Sequence, residues 1–352
     1  MRIFGSIEQF RHAVDKVNHR ATYIGQSEDD KPMYDDTKSK PVLEFTGTVK
    51  LHGTNSGIQF NMIDGSTLAM SHERVLSTEA DNHGFCTWAQ SESGLFQLRE
   101  LRKIIDHFLD DASPQYIYVY GEWCGSGING KTAIGKLSNR FFVFSIMLKF
   151  TDGCEKWLEL SDIASAWQVR TDLFNDDPFE IYFVHNFKTY QVSIDFNDPG
   201  SSIDELERLT LEVEAACPIG SAFDIEGIGE GIVWTCMHPT FGHLMFKTKG
   251  SKHKGTKNKQ LVAVAPEVMK SRQDFVDAVL TESRLEQGFD LMKATYGKVT
   301  EDRIGDFLAW IGKDVLKEES DTMNVSKLER KFVMGAVNNA AKKWLMPRLD
   351  KF

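Results

Sequence analysis

Three features of the 352-residue sequence predict an α+β fold with an all-helical tail. Short runs with strand-like alternation recur between Pro41 and Lys249, with a few helical stretches between them. Residues 250–260 are rich in Gly, Ser, Lys, His and Asn, carry no apolar anchor, and read as a loop or linker. From Pro266 onward the apolar residues recur almost wholly at helical spacing. The layout expected is a mixed domain over residues 1–260, followed by a small helical domain over 261–352.

The elements follow in order. Ile7, Phe10, Val14 and Val17 recur with helical period and predict a helix near residues 6–18. Gln26 to Lys40 is polar and reads as a loop. Pro41–Phe45 and Ser56–Ile63 read as strands, the second closed by Asp64-Gly65, and Thr67–His72 as a further short strand. Leu95, Leu98, Leu101, Ile105 and Phe108 mark a helix that ends before Ser113-Pro114. Tyr116–Tyr120 is a strong strand that runs into a glycine-rich loop, Gly121 to Gly127. Phe141–Ile146 and Ile181–Phe187 are strands, and Ile203–Ala216 is a helix stopped by Cys217-Pro218. Glu230–Trp234 and His243–Lys249 form two adjacent strands. In the tail, three stripes predict helices: Phe275, Val279 and Leu280; Ile304, Phe307, Leu308, Ile311 and Val315; Leu328, Phe332, Val333 and Val337.

Bulk properties narrow the function classes. No apolar run approaches the length of a membrane span, and Met1-Arg2-Ile3-Phe4-Gly5 lacks the apolar core of a signal peptide. The five cysteines are scattered and make no C-x-x-C pair, which points to reduced thiols in a cytoplasmic setting and away from a zinc site. A net charge of −10 argues against a generic nucleic-acid coat protein, while leaving room for an enzyme with a local basic patch.

Chemistry concentrates around Lys50. The lysine stands where a strand ends, in Thr48-Val49-Lys50-Leu51-His52-Gly53-Thr54-Asn55, and Gly53 allows close backbone approach in the turn that follows. Such a placement suits a side chain aimed into a nucleotide pocket. Free lysine titrates near ~10.4, so a nucleophilic lysine needs cationic neighbours, a divalent metal or partial desolvation to favour its neutral form. Downstream, Arg74, Gly121-Glu122, Phe144, Glu230-Gly231 and Lys247-x-Lys249 appear in that order. Lys247 and Lys249 are two apart on a strand and so share a face. Glu226 also precedes a glycine and competes with Glu230 for the acidic role; the β-branched run after Glu230 favours the latter.

This ordered set resembles the covalent nucleotidyltransferase superfamily of ATP-dependent ligases and capping enzymes, and most of all the phage-type RNA ligase 2 family, whose nucleophile motif reads K-x-H-G-T-N. The tail, from Tyr296-Gly297-Lys298-Val299 to Trp344-Leu345-Met346-Pro347-Arg348, is similar to that family's helical domain. The resemblance implies an antiparallel-sheet nucleotidyltransferase domain, unrelated to ATP-grasp, and a cytoplasmic enzyme (host cytoplasm for a phage-encoded chain). It implies that Lys50 attacks the α-phosphate of ATP to form lysyl-AMP, that AMP passes to an RNA 5′-phosphate, and that a neighbouring 3′-hydroxyl displaces it. In that scheme His52 assists the attack, and Lys247 and Lys249 neutralise the α-phosphate. Glu230 is the metal-binding carboxylate for Mg²⁺, with Mn²⁺ an alternative, and Glu122 reads the ribose or a second metal. Phe144 stacks on adenine, Arg74 touches the 5′-phosphate and AMP, and Asn55 belongs to the nucleotide-binding set. The partner implied is a nicked RNA duplex, bound by a monomer with no membrane attachment.

Two positions depart from the family pattern. Val49 replaces a polar residue before the nucleophile, and Thr235 stands where relatives commonly carry a lysine. The lysines from Lys247 to Lys259, uninterrupted by any acidic residue, suit contact with RNA phosphates. Alternatives on the same core are a DNA ligase or a capping guanylyltransferase, which usually append an all-β domain where this chain has a helical pattern. A catalytically silent RNA-binding adaptor is the alternative from another class.

Overall fold

The computed structural model describes residues 2–109, 112–128, 130–172, 179–253 and 272–350. Its strands are β1 (Glu8–Gln9), β2 (Tyr23–Gln26), β3 (Pro32–Tyr34), β4 (Val42–Lys50), β5 (Thr54–Asn61), β6 (Thr67–Ser71), β7 (Tyr116–Cys124), β8 (Arg140–Lys149), β9 (Glu155–Trp157), β10 (Ile181–Phe183), β11 (Tyr190–Asp195), β12 (Gly231–His238) and β13 (Gly242–Lys249). Its α-helices are α1 (Phe10–Thr22), α2 (Phe85–Gln90), α3 (Glu92–His107), α4 (Ser161–Asp172), α5 (Ile203–Ala215), α6 (Pro218–Ala222), α7 (Arg272–Val279), α8 (Glu282–Tyr296), α9 (Ile304–Val325) and α10 (Arg330–Leu345). The mixed α+β class is thus observed, with helices alone from Arg272 to Leu345 apart from short 3₁₀ turns.

Two sheets carry the fold. One has the order β1-β13-β12-β4-β11; the other has the order β10-β8-β7-β5-β6, with β9 also paired to β8. The ladders β5–β6, β5–β7, β7–β8, β8–β9 and β12–β4 are antiparallel, and β10 joins β8 in parallel. The chain forms two compact units, Met1–Glu8 with Phe45–Gln191 and Ala215–Lys247, and Gln9–Glu44 with Val192–Glu214 and Thr248–Phe352.

Alternation along β7 organises the first unit. Ile117 and Val119 join a buried core with Leu98, Leu101 and Ile105 of α3 and Trp167 of α4. Tyr118 and Tyr120 point to the opposite face, where they pack with Phe4, Met70 and Met147. The Ser91 hydroxyl caps α3 by accepting from Gly94 N at 3.0 Å. Truncating a fully buried anchor such as Leu101 in this layer is expected to cost ~2–5 kcal/mol.

In the second unit, Phe275, Phe307, Ile311, Val315, Val333 and Val337 build a separate core, drawn from the three stripes read in the sequence. Buried Arg284 donates to Asp314 at 2.7 Å and to the carbonyl of Val279 at 2.5 Å. Gln9, at the start of α1, donates to the Glu318 carboxylate of α9 at 2.8 Å.

Several local expectations change. The polar stretch from Gln26 to Lys40 contains β3, which pairs with β2 as an antiparallel hairpin. The expected loop at Gly121–Gly127 begins later, because β7 continues through Gly121-Glu122 to Cys124. Ile181–Phe187 is a strand only to Phe183 and then a 3₁₀ turn. The elements β2, α2, β9, α4, β11 and α6 lie where none was read, and α8 falls in the helical tail without a stripe of its own having been read. The expected division at residue 260 falls outside the described residues.

Candidate active site

Lys50 ends β4, and its partner across the β4–β12 ladder is Gly231. That register brings the residue before Gly231 beside the lysine. The Lys50 ammonium donates to Glu230 Oε2 at 2.6 Å and to the Leu51 carbonyl at 3.3 Å. His52 Nδ1 lies 3.2 Å from the same Glu230 oxygen. The Glu230 side chain is only 1% exposed, so its charge depends on these partners. Glu226, the other glutamate before a glycine, is exposed.

Across the other sheet, Asn55 of β5 pairs with Glu122 of β7. Glu122 follows Tyr118 and Tyr120 on one face of β7, and its Oε1 accepts from Gly53 N at 2.8 Å. Burial pushes the Glu122 carboxyl above its ordinary range; Lys50, the Gly53 bond and His52 oppose that shift, and Glu230 adds to it. Gly53 itself has no room for a side chain. A Cβ there would stand 2.4 Å from the Trp123 carbonyl oxygen and 2.5 Å from Cys124 Cβ. The close approach read from the turn is therefore a contact with β7, made by the strand that carries Glu122.

Phe144 sits at a break in register. Tyr120 pairs with Ser145 and the next residue, Gly121, pairs with Val143, so Phe144 has no partner on β7. Ile146, Leu148 and Val143 all face the helix-packed core. Phe144 keeps the alternation of Phe141 and Val143 and lies on the opposite face, among Phe4, Tyr120 and Met147; the extra residue resets the period so that Ile146 and Leu148 return to the core. Phe144, Lys50, Glu122, Thr48, Val184 and Thr235 all line one cavity of about 60 Å³. Ligand pockets run to about 300–1,000 Å³, so a nucleotide requires this cleft to widen.

The remaining candidates are placed as follows. Met245 lines the cleft, and Lys247 follows it at strand period beyond buried Phe246, so Lys247 shares the cleft-facing side of β13. Lys249 continues the period, with buried Thr248 between, and falls in the second unit. Arg74 is exposed and does not line the cavity; its guanidinium donates to the carbonyls of Ala80 and Asp81. The same loop reaches β5, where Asn82 Nδ2 donates to Thr54 Oγ1 at 2.9 Å. Val49 is 2% exposed and Thr235 half-buried, and both line the cavity. In the basic run, Lys254, Lys257 and Lys259 lie outside the described residues.

Sequence reasoning missed Thr48, Val184, Met245 and Ile7 as lining residues. Thr48 is the one it had a signal for, since it stands two before Lys50 on the same strand. Val184 and Ile7 arrive from distant segments, which no local pattern reveals.

The arrangement places an amine, a carboxylate and an aromatic ring around one small cleft, with the Glu230 carboxylate and the His52 imidazole behind the amine. Among the described residues no three His, Cys, Asp or Glu side chains converge as a metal cage. Mg²⁺ bound through one or two carboxylates, with waters and phosphate oxygens completing its shell, asks for fewer protein ligands, and Glu230 with Glu122 fits that donor set.

A family model described as RNA ligase matches residues 43–249, more than half of the chain and the whole span from β4 to β13. No curated protein matches the chain. Among solved structures, a Naegleria gruberi RNA ligase with PPi aligns at 15% identity and a TM-score of 0.39, over 71% of this chain and 56% of that one. A lysine-to-methionine mutant of the same ligase with AMP and Mn aligns at 15% identity and a TM-score of 0.38, over 71% and 56%. A glutamate-to-alanine mutant with ATP and Mn aligns at 14% and 0.39, over 71% and 56%. The chain thus spans little more than half the length of these structures.

Proposed function

The chain belongs to the RNA ligase family, and on that premise we propose that it is an ATP-dependent RNA ligase joining a 3′-hydroxyl to a 5′-phosphate, at nicks in duplex RNA. The observation that carries the reading is the convergence of Lys50, His52 and Glu230 within hydrogen-bond reach, beside a cleft lined by Lys50, Glu122 and Phe144. In the first step the neutral Lys50 amine forms a P–N bond to the α-phosphate of ATP, and pyrophosphate leaves as the bond to the β-phosphate breaks. In the second, an RNA 5′-phosphate oxygen attacks the same phosphorus and Lys50 recovers its electron pair. In the third, the 3′-hydroxyl attacks the 5′-phosphorus, its proton is released, and AMP departs.

Each group has a role set by its surroundings. Glu230 holds the Lys50 ammonium in the resting state, so Lys50 must shed both a proton and this partner before it attacks. Glu230 and Glu122 would hold Mg²⁺ or Mn²⁺, which supplies charge neutralisation at phosphate when bound. Lys247 and Lys249 neutralise charge developing on the α-phosphate, and His52 orients the leaving pyrophosphate. Phe144 stacks on adenine and Glu122 reads the ribose. Asn55, on β5, belongs to the nucleotide-binding set, and Arg74, on the loop tethered to β5, meets the 5′-phosphate and AMP. The lysines from Lys247 to Lys259 and the helical tail are assigned to gripping the duplex, acting as a monomer without membrane attachment.

The test is intact-mass measurement after incubation with ATP and Mg²⁺. A single AMP adduct on the wild type, absent from Lys50→Ala, is expected. An unlabelled wild type would favour a binding adaptor, and labelling by GTP instead of ATP would favour a capping enzyme. Sealing assays on nicked RNA, nicked DNA and single-stranded RNA then identify the substrate.

A further inference from the structure

The N-terminal segment carries residues that the proposed reaction does not use, yet it reaches the proposed nucleotide cleft. Phe4 is 6% exposed although it stands outside every helix and strand. Its ring meets Phe144 edge-on, with centroids 4.9 Å apart and planes at 64°. It also meets Tyr120 at 5.1 Å and Trp157 at 5.9 Å. Two contacts fasten the segment on this face. The Arg2 guanidinium pairs with Glu155 at 3.0 Å, and the Arg2 carbonyl accepts from the Tyr120 hydroxyl at 2.8 Å. Three residues beyond Phe4, Ile7 lines the cleft itself.

Phe144 lies at the bulge in β8. It has no partner on β7, and the ladder is locally disrupted at that residue. An aromatic ring on an unpaired residue holds its orientation only through side-chain packing, and edge-to-face contact is a favoured geometry for such a pair. Phe4 supplies that contact from a segment distant in sequence. We propose that Phe4 is a positioning residue for the nucleobase subsite: it wedges the bulged Phe144 ring into the orientation that receives adenine, while Ile7 closes the wall beside it. This rests on the reading of Phe144 as the adenine platform. It goes further in giving the first residues of the chain a part in nucleotide selection.

The experiment compares wild type, Phe4→Ala and Phe4→Leu in self-labelling with ATP, in the full chain. Inorganic tripolyphosphate serves as a competitive inhibitor that engages only the phosphate end. Loss of part of a base-stacking contact predicts a rise of about three- to tenfold in the KM for ATP. The rate at saturating ATP should stay near that of the wild type, and the inhibition constant for tripolyphosphate should not move. Phe4→Leu keeps an apolar plug and loses the ring edge, so its KM should fall between the other two. It also serves as the informative variant where Phe4→Ala does not fold. An unchanged KM for ATP in a folded Phe4 variant overturns the proposal. So does a parallel rise in the tripolyphosphate constant, which would mark general distortion of the site. A wild type that takes no label from ATP fails the underlying reading instead, and is thereby distinguished.

Discussion

Lys50 Nζ and Glu230 Oε2 stand 2.6 Å apart, joining the end of β4 to the residue before β12 through a carboxylate almost wholly withdrawn from solvent. A buried charge held this way stabilises the fold only while its partner remains. Removing Lys50 takes away the ammonium that lies closest to this buried carboxylate, with the His52 ring still 3.2 Å from the same oxygen. Lys50→Ala is expected to lower unfolding free energy by ~3–5 kcal/mol, the range for breaking buried pairs. Adding Glu230→Gln removes the stranded charge, so the double variant should recover much of that loss in urea titrations. Strict additivity of the two single effects would show that the pair is not coupled.

Gly53 offers a steric test of the turn. A Cβ at this position would meet backbone oxygen of Trp123 and Cβ of Cys124 within 2.5 Å, and neither is the far end of a flexible side chain. Gly53→Ala must therefore push the turn away from β7 and stretch the Gly53–Glu122 hydrogen bond. Loss of AMP labelling by at least about tenfold is expected, in line with the cost of misplacing reacting groups by an ångström. A Gly53→Ala protein that labels at the wild-type rate would show that the turn has slack the structure does not reveal.

Glu122 gives a pH dependence of stability. Burial raises its folded-state pKa above the ordinary 4.5. The folded chain then binds more protons than the unfolded chain above pH 4.5, so the contribution of this group to stability falls as pH rises through its raised value. Below 4.5 both states are protonated and the group is neutral in the balance. Glu122→Gln keeps an acceptor for Gly53 N and removes this slope. Thermal melts from pH 4 to 8 should show a variant at least as stable as the wild type at neutral pH, with a smaller decline across the range. A variant less stable than the wild type at neutral pH would mean that the charged form is favoured, with Lys50 outweighing burial.

Two neighbouring aromatics on β8 should separate cleanly. Phe142 is fully buried among Tyr182, Phe187 and Phe223, so Phe142→Ala is expected to cost ~3–5 kcal/mol of stability. Phe144 is only half-buried on the cleft. Phe144→Ala should cost less stability while raising the KM for ATP about tenfold or more, from loss of base stacking. Equal stability losses with an unchanged KM would place Phe144 in the core and remove it from the site.

Legibility followed the range of the interactions. Lys50, His52, Gly53 and Asn55 were readable because they fall within six residues of one another, on a strand end and its turn. Glu230 was preferred over Glu226 from the β-branched run after it; its place beside Lys50 comes from the register that pairs Gly231 with Lys50, which the run alone does not reveal. The stripes at Phe275, Ile304 and Leu328 were legible because helical period repeats within one segment. By contrast, Pro32-Met33-Tyr34 gave no strand signal, since β3 is short, exposed and held only by its hairpin partner. The loop read at Gly121 turned out to be strand, because pairing with β5 and β8 on both sides outweighs the weak local preference of glycine.

By itself, the sequence determined the α+β class, the Lys50-x-His52-Gly53-Thr54-Asn55 string and the order of charged groups along the chain, all of which depend on neighbours within a few residues. Only the tertiary structure decided which face Phe144 presents. One unpaired residue breaks the period between Val143 and Ile146, so alternation counted from Ile146 would give the wrong face, and the letters Phe-Phe-Val-Phe read the same with or without it. The same holds for Phe4 and Ile7, whose places at the cleft come from packing against segments more than forty residues away.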